Sequence, residues 1–169
     1  VQKQIIRMAN EIGKPVITAT QMMESMIEAP TPTRAEVTDV YNAVRDGTDA
    51  IMLSAETSVG KYPYRAVQAM TKIAKRAERY LEHPKLAGRR RDAVSKGGLP
   101  VDDAIADAAS VTARSLNAKA IVAFTTSGST AARVAAYRPV TPLLALTPDI
   151  GAGAKLALRW GVIPVAVKV

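Results

Sequence analysis

The sequence predicts an α/β protein with parallel strands, and three observations carry that prediction. Val16-Ile17-Thr18-Ala19-Thr20-Gln21-Met22 and Ile51-Met52-Leu53-Ser54-Ala55-Glu56-Thr57 are strand-like runs that each end in a polar cluster. Each run follows a helical pattern closed by a glycine, Gly13 or Gly47. The same helix-then-strand rhythm recurs five times without any sequence repeat, which is the pattern of α/β units. In such folds ligands bind where strands end, so the two polar tips are the first candidate site.

Residues 2–12 read as a helix with Ile5, Ile6, Met8, Ala9 and Ile12 on one broad face. Gly13 stops it and Lys14-Pro15 opens a strand over 15–19. Pro30 and Pro32 forbid regular helix in the loop 28–34. A second helix starts near Ala35 or Thr38 and runs to Asp46, with a strand over 49–54 after it. The turn 59–63 leads into a long helix, 64–82. It places Val67, Met70, Ile73, Ala74, Ala77 and Leu81 at helical spacing, with Lys72, Lys75, Arg76 and Arg79 opposite. His83-Pro84 ends it. Residues 85–100, with three glycines, an arginine triplet and a closing proline, read as a linker between domains 1–84 and 101–169. A helix then opens on Asp102 and Asp103, where acids complement the dipole, and its stripe is Ile105, Ala108, Ala109, Thr112 and Leu116. Strand 119–124, an alanine-rich helix to Tyr137, strand 142–146, a helix ending at Trp160-Gly161 and strand 163–167 complete the pattern. The leading helix without a strand before it, and the last strand without a helix after it, suggest a chain cut at both ends.

Composition narrows the chemistry. There is no cysteine, which removes disulfides and thiolate sites. The scattered carboxylates show no metal-ligand spacing. No apolar run approaches the roughly 18 residues that span a bilayer, so a soluble, cytoplasmic protein is expected. The net charge of +8 is concentrated in the second half, and Lys85, Arg89, Arg90, Arg91 and Lys96 form a local run offset only by Asp92. No aromatic residue lies within that run, so it reads as a solvated linker rather than a nucleic-acid surface. His83 is the one histidine, which leaves no histidine-based triad.

Three groups of residues carry candidate chemistry. Thr18, Thr20 and Gln21 could orient a small anion, or simply close a strand. Ser54 and Glu56, two positions apart, would face the same way on an extended backbone and could hold and relay a proton. Thr125-Thr126-Ser127-Gly128-Ser129-Thr130, between a strand and a helix, offers hydroxyls and helix N-terminal N–H groups to a phosphate. It lacks the Gly-Lys-Ser/Thr of a Walker loop.

These residues are recognisable. The runs 14–22, Glu24-Ser25-Met26, Pro32-Thr33-Arg34-Ala35-Glu36, Asp39-Val40, Asn42-Ala43-Val44, 51–57 and Gly60-Lys61-Tyr62-Pro63 closely resemble pyruvate kinase. Phe124 through Ala131 and Tyr137-Arg138-Pro139 resemble that family's C-terminal domain. The resemblance implies the end of a (β/α)8 TIM barrel, its last two strands and helices, and after it a Rossmann-like α/β domain. It implies glycolytic phosphoryl transfer from phosphoenolpyruvate to ADP, giving pyruvate and ATP, with Mg2+ and K+ whose ligands lie outside this chain. Thr20 then matches the substrate-contacting threonine, Ser54 and Glu56 the proton-relay pair, and Arg34 an arginine of the subunit interface in a homotetramer. Thr125, Thr126, Ser127, Gly128, Ser129 and Thr130 match the loop that grips the phosphate of an allosteric effector, a sugar phosphate or AMP. Ala55 stands where many members have glycine, and Thr126 and Ser129 where several have lysine or arginine. The chain alone is expected to be inactive. The alternative is a stand-alone regulatory module that uses the 125–130 loop.

Overall fold

A computed structural model describes residues 1–81, 83–95 and 97–168. Glu82, at the predicted helix end, Lys96 of the basic run and the final Val169 lie outside the described residues. The chain divides into two compact units, Val1–Ile6 with Val16–Leu81, and Arg7–Pro15 with Glu82–Val169. Both are α/β with parallel strands.

Helix α1 (Gln2–Glu11) belongs to the first unit up to Ile6 and to the second from Arg7, and in the first unit β1 (Ile17–Ala19) pairs in parallel with β2 (Ala50–Met52) in the register Ile17↔Ala50 and Ala19↔Met52. A 3-10 turn, Glu24–Ile27, comes after β1. Helix α2 (Arg34–Asp46) starts at a capping box in which the Thr33 hydroxyl accepts from the Glu36 N–H and the Glu36 carboxylate accepts from the Thr33 N–H. It ends on Gly47 at φ 98°. A four-residue helix, α3 (Ala55–Ser58), comes after β2, and Pro63 opens α4 (Pro63–Glu78) at a position that needs no N–H. Met22, Met23, Met26, Val40, Ala43, Ala66 and Met70 make the core. The broad face predicted for α1 is not what the structure buries: Ile6 is buried, while Ile5, Met8 and Ile12 are all more than half exposed.

The second unit contains α5 (His83–Val94), α6 (Val101–Ser115), β3 (Ile121–Phe124), α7 (Ser129–Ala136), β4 (Leu143–Thr147), α8 (Ile150–Leu156) and β5 (Val162–Ala166). The strands lie in the order β3-β4-β5, all parallel. Right-handed crossovers progressing in one direction put their helices on one face. Ala123, Leu143, Ala145 and Val162 accordingly pack with Ala106, Ala131, Val134, Ala135 and Leu156. On the other face Val122, Phe124 and Ile163 are exposed.

Two expectations give way in this unit. The stretch read as a solvated linker is helical over His83–Val94, and Arg90 within it is buried. Pro84 falls in the first turn, where a missing N–H costs no bond, and Arg90 is held by Asp103 at 2.8 Å. The stripe on α6 is also displaced. Asp103, Ala106 and Ala113 face the core, while Ile105 and Leu116 are exposed. The buried ion pair, rather than the largest apolar side chains, sets which way this helix turns.

Candidate functional site

The parallel register Ala19↔Met52 brings the ends of β1 and β2 side by side, so Thr20 and Ser54 leave the same end of the pair. Thr18 is committed to structure. Its hydroxyl donates to the Thr48 hydroxyl at 3.0 Å, and Thr48 in turn bonds the Val16 and Ala50 carbonyls at 3.0 and 2.9 Å. Thr20 and Gln21 are exposed and stand at φ 68° and 53°. Left-handed backbone is rare for any residue with a side chain, and most so for a β-branched one. Strain of this kind collects at functional sites.

Ser54 and Glu56 do not share an extended backbone, as the spacing predicted. Ser54 caps α3 from outside with φ −121° and ψ −102°, and its hydroxyl makes no capping bond. Glu56 lies inside the helical turn and is 3% exposed. Its Oε1 accepts the Met23 N–H at 3.1 Å and its Oε2 the Ser54 N–H at 2.8 Å. The carboxylate therefore ties the loop after β1 to the loop after β2. Glu36, absent from the predicted set, does similar work: it accepts the Ser25 N–H at 2.7 Å and the Ser25 hydroxyl at 2.5 Å, besides capping α2. The Thr33-x-x-Glu36 spacing was the signal that could have found it.

Burial pushes the Glu56 carboxyl up, but hydrogen bonds from the N–H groups of Glu56, Ser54 and Met23 outweigh it, and the group sits below its ordinary 4.5. Glu36 is likewise raised by burial and lowered further by Ser25 and Thr33. A carboxyl depressed in the folded state binds fewer protons than in the unfolded chain. Its stabilisation is complete above 4.5 and is lost as pH falls through the depressed folded value. Urea unfolding free energies measured from about pH 7 down to about pH 3.5 should therefore fall on the acid side. The fall should be shallower in Glu36→Gln and in Glu56→Gln. A slope unchanged by both substitutions would contradict the assignment.

The 125–130 loop divides into two kinds of residue. Thr125 is buried and its hydroxyl accepts the Gly128 N–H at 2.9 Å, and Gly128 stands at φ 87° as the residue before α7. These two shape the loop. Thr126, Ser127, Ser129 and Thr130 stand nearer solvent, with the Ser127 hydroxyl donating to that of Ser129 at 3.2 Å. Ser129, Thr130 and Arg133 line one cleft with Asp102, to which Arg133 is paired at 3.0 Å. Arg34 is exposed at the first position of α2. Among the described residues no three His, Asp or Glu side chains converge as a metal would require. Glu36 and Glu56 are already occupied by N–H donors, so these residues do not fit Mg2+. No helix among the described residues is long and apolar enough to cross a membrane.

Two family models match the chain: "Pyruvate kinase, barrel domain" over residues 1–67 and "Pyruvate kinase, alpha/beta domain" over residues 103–169. Pyruvate kinase 2 of Synechocystis sp. is 50% identical over 167 residues, which is 99% of this chain and 27% of that protein. Pyruvate kinase of Clostridium acetobutylicum is 47% identical over 165 residues, 98% of this chain and 34% of that protein. The crystal structure of a pyruvate kinase from Cryptosporidium parvum superposes with a TM-score of 0.94 at 42% identity, covering 98% of this chain and 33% of that one. The chain thus spans between about a quarter and a third of the length of the relatives it matches.

Proposed function

The chain belongs to the pyruvate kinase family, and from that premise we propose that it forms the later part of a cytoplasmic enzyme that moves a phosphoryl group from phosphoenolpyruvate to ADP. The first unit is then the end of a (β/α)8 barrel and the second a Rossmann-like α/β domain. The observation that carries the reading is the pair of hydroxyls, Thr20 and Ser54, past adjacent parallel strand ends.

Loss of the phosphoryl group leaves an enolate whose carbon must take a proton to become pyruvate. In this reading Thr20 presents a hydroxyl to that carbon and Ser54 passes the proton on. Such positioned proton transfer contributes about 10²–10⁴-fold. Mg2+ and K+ would supply charge stabilisation at the phosphoryl group. The described residues do not fit a metal.

The 125–130 loop is the proposed seat of an effector phosphate, a sugar phosphate or AMP, and Arg34 a residue of a homotetramer interface. The test of the catalytic reading is deuterium exchange at the methyl group of pyruvate, monitored by NMR in an enzyme that contains this chain. Thr20→Val should slow exchange by about 10²-fold or more, with pyruvate still bound. Undiminished exchange would refute the role. Residues 1–169 alone should give no turnover in a coupled assay, and activity above blank would show that they suffice.

A further inference from the structure

We infer that Glu36 and Glu56 are positioning residues that hold Thr20 and Gln21 in their left-handed conformation, an inference that rests on reading Thr20 as the substrate-facing hydroxyl. Neither Thr20 nor Gln21 is a glycine, and nothing in their own chemistry favours two consecutive residues at φ 68° and 53°. The constraint must come from the residues C-terminal to them. Met22, Met23 and Met26 are all buried in the first unit's core, which fixes the depth of the loop but not its direction. Direction needs hydrogen bonds. The Met23 N–H, three residues past Thr20, donates to Glu56. The Ser25 N–H and hydroxyl, five residues past it, donate to Glu36.

The two carboxylates come from different elements. Glu36 projects from the first turn of α2, where the capping box with Thr33 holds it. Glu56 projects from α3, where the Ser54 N–H holds its second oxygen. Glu56 directs one oxygen to the 20–26 loop and Glu36 both, and each carboxylate has a further bond that fixes its own position. The loop is tied at two points to two independent supports. The backbone between β1 and the first tie absorbs the mismatch, and it does so at Thr20 and Gln21. Glu56 then acts through Thr20 and the Ser54 backbone, instead of exchanging a proton itself. Its two oxygens are engaged by N–H groups and the residue is almost wholly buried.

The test reads the backbone directly, by HN–Hα couplings, Cβ shifts and amide exchange on the whole chain. Glu36→Gln and Glu56→Gln keep size and one acceptor oxygen while removing the charge. We expect Ser25 in the first variant, and Met23 in the second, to exchange at least tenfold faster. In both, the couplings of Thr20 and Gln21 should leave the left-handed range while α2 and α4 stay protected. A purely structural contribution would lower protection throughout the unit and leave those two couplings in place. Left-handed Thr20 and Gln21 in both folded variants would overturn the inference. If a variant fails to fold, titration of the unsubstituted chain decides. The Thr20 couplings should track protonation of the two carboxyl groups, and couplings indifferent to it would overturn the inference equally. The two readings fail separately. A lost substrate role shows as undiminished pyruvate exchange in Thr20→Val, and a lost clamp as unchanged couplings.

Discussion

Replacing Arg90 with alanine should destabilise the second unit by about 3–5 kcal/mol, because it strands a buried carboxylate. Arg90 is 8% exposed and Asp103 6%. One guanidinium nitrogen donates to Asp103 Oδ1 at 2.8 Å, and the other to the Glu11 carbonyl at the C-terminal end of α1 at 2.7 Å. Tyr137, buried beside them, donates to the same carboxylate oxygen at 3.1 Å. Burial first, and then the Asp103 charge, push its hydroxyl up to about 12, so it remains a donor at neutral pH. Without Arg90 the Asp103 carboxylate keeps Tyr137 and a loose approach from Arg133 at 3.8 Å. That is too little to offset the removal of a charge from water. A control comes from the neighbouring residue. Arg91 forms a bidentate pair with Asp107 at 2.7 Å, but its side chain is 44% exposed, and Arg91→Ala should cost about 0.2–1 kcal/mol. The double change Arg90→Met with Asp103→Leu should recover most of the loss, since apolar replacement of a whole buried pair is often near neutral. Trp160, the one tryptophan, lies in this unit and makes fluorescence-detected urea unfolding a direct readout. A cost below about 1 kcal/mol for Arg90→Ala would mean that the pair is not the anchor its burial implies.

The same ion pair shows what the sequence could and could not convey. The strands were legible because Val16–Ala19, Ala120–Phe124 and Pro142–Leu146 are dense in β-branched and apolar residues between turn formers. Helix α4 was legible because its sixteen residues hold a full helical period. Helix α5 was not. His83-Pro84 and Gly88 are poor helix material, and the partners that hold the helix, Asp103 and Asp107, lie 13 and 16 residues away. Helix α3 was missed because four residues are too few for any period. At the site, residue types were readable and geometry was not. Hydroxyls at strand ends marked Thr20 and Ser54, yet no glycine announced the positive φ at Thr20 and Gln21. The extended backbone assumed for Ser54 and Glu56 gave way to a helical turn because the Glu56 carboxylate bonds the N–H two residues before it. Assigning roles to these residues took the family resemblance, which spacing alone could not replace.

Gly128→Val should both unfold the 125–130 loop and cost about 2–5 kcal/mol, the sum of two separable effects. The first is conformational. Gly128 stands at φ 87°, where a β-branched residue is a severe outlier. The second is steric. A Cβ at this position would lie 3.2 Å from Leu156 Cγ and 3.3 Å from its Cδ1, and Leu156 is buried in the core with Val134 and Ala135. A relaxed φ would turn the Gly128 N–H away from the Thr125 hydroxyl that now accepts it. The loop would lose the bond that closes it, together with the start of α7. Gly128→Ala keeps the positive φ and the Cβ contact with Leu156 but lacks the added methyls of valine, so it should cost less. On a Leu156→Ala background the steric share should vanish while the conformational share persists, which a double-mutant cycle resolves. Binding supplies the second readout. A phosphate ligand stabilises a folded chain by RT ln(1 + [L]/Kd), so any thermal shift produced by inorganic phosphate or a sugar phosphate should disappear in Gly128→Val. Ser127→Ala should weaken the same shift without loss of stability, because its hydroxyl is exposed and serves only Ser129. If Gly128→Val kept the full shift, the anion would be held elsewhere in the chain. The hydroxyls around Gly128 would then be no more than the cap of a short helix.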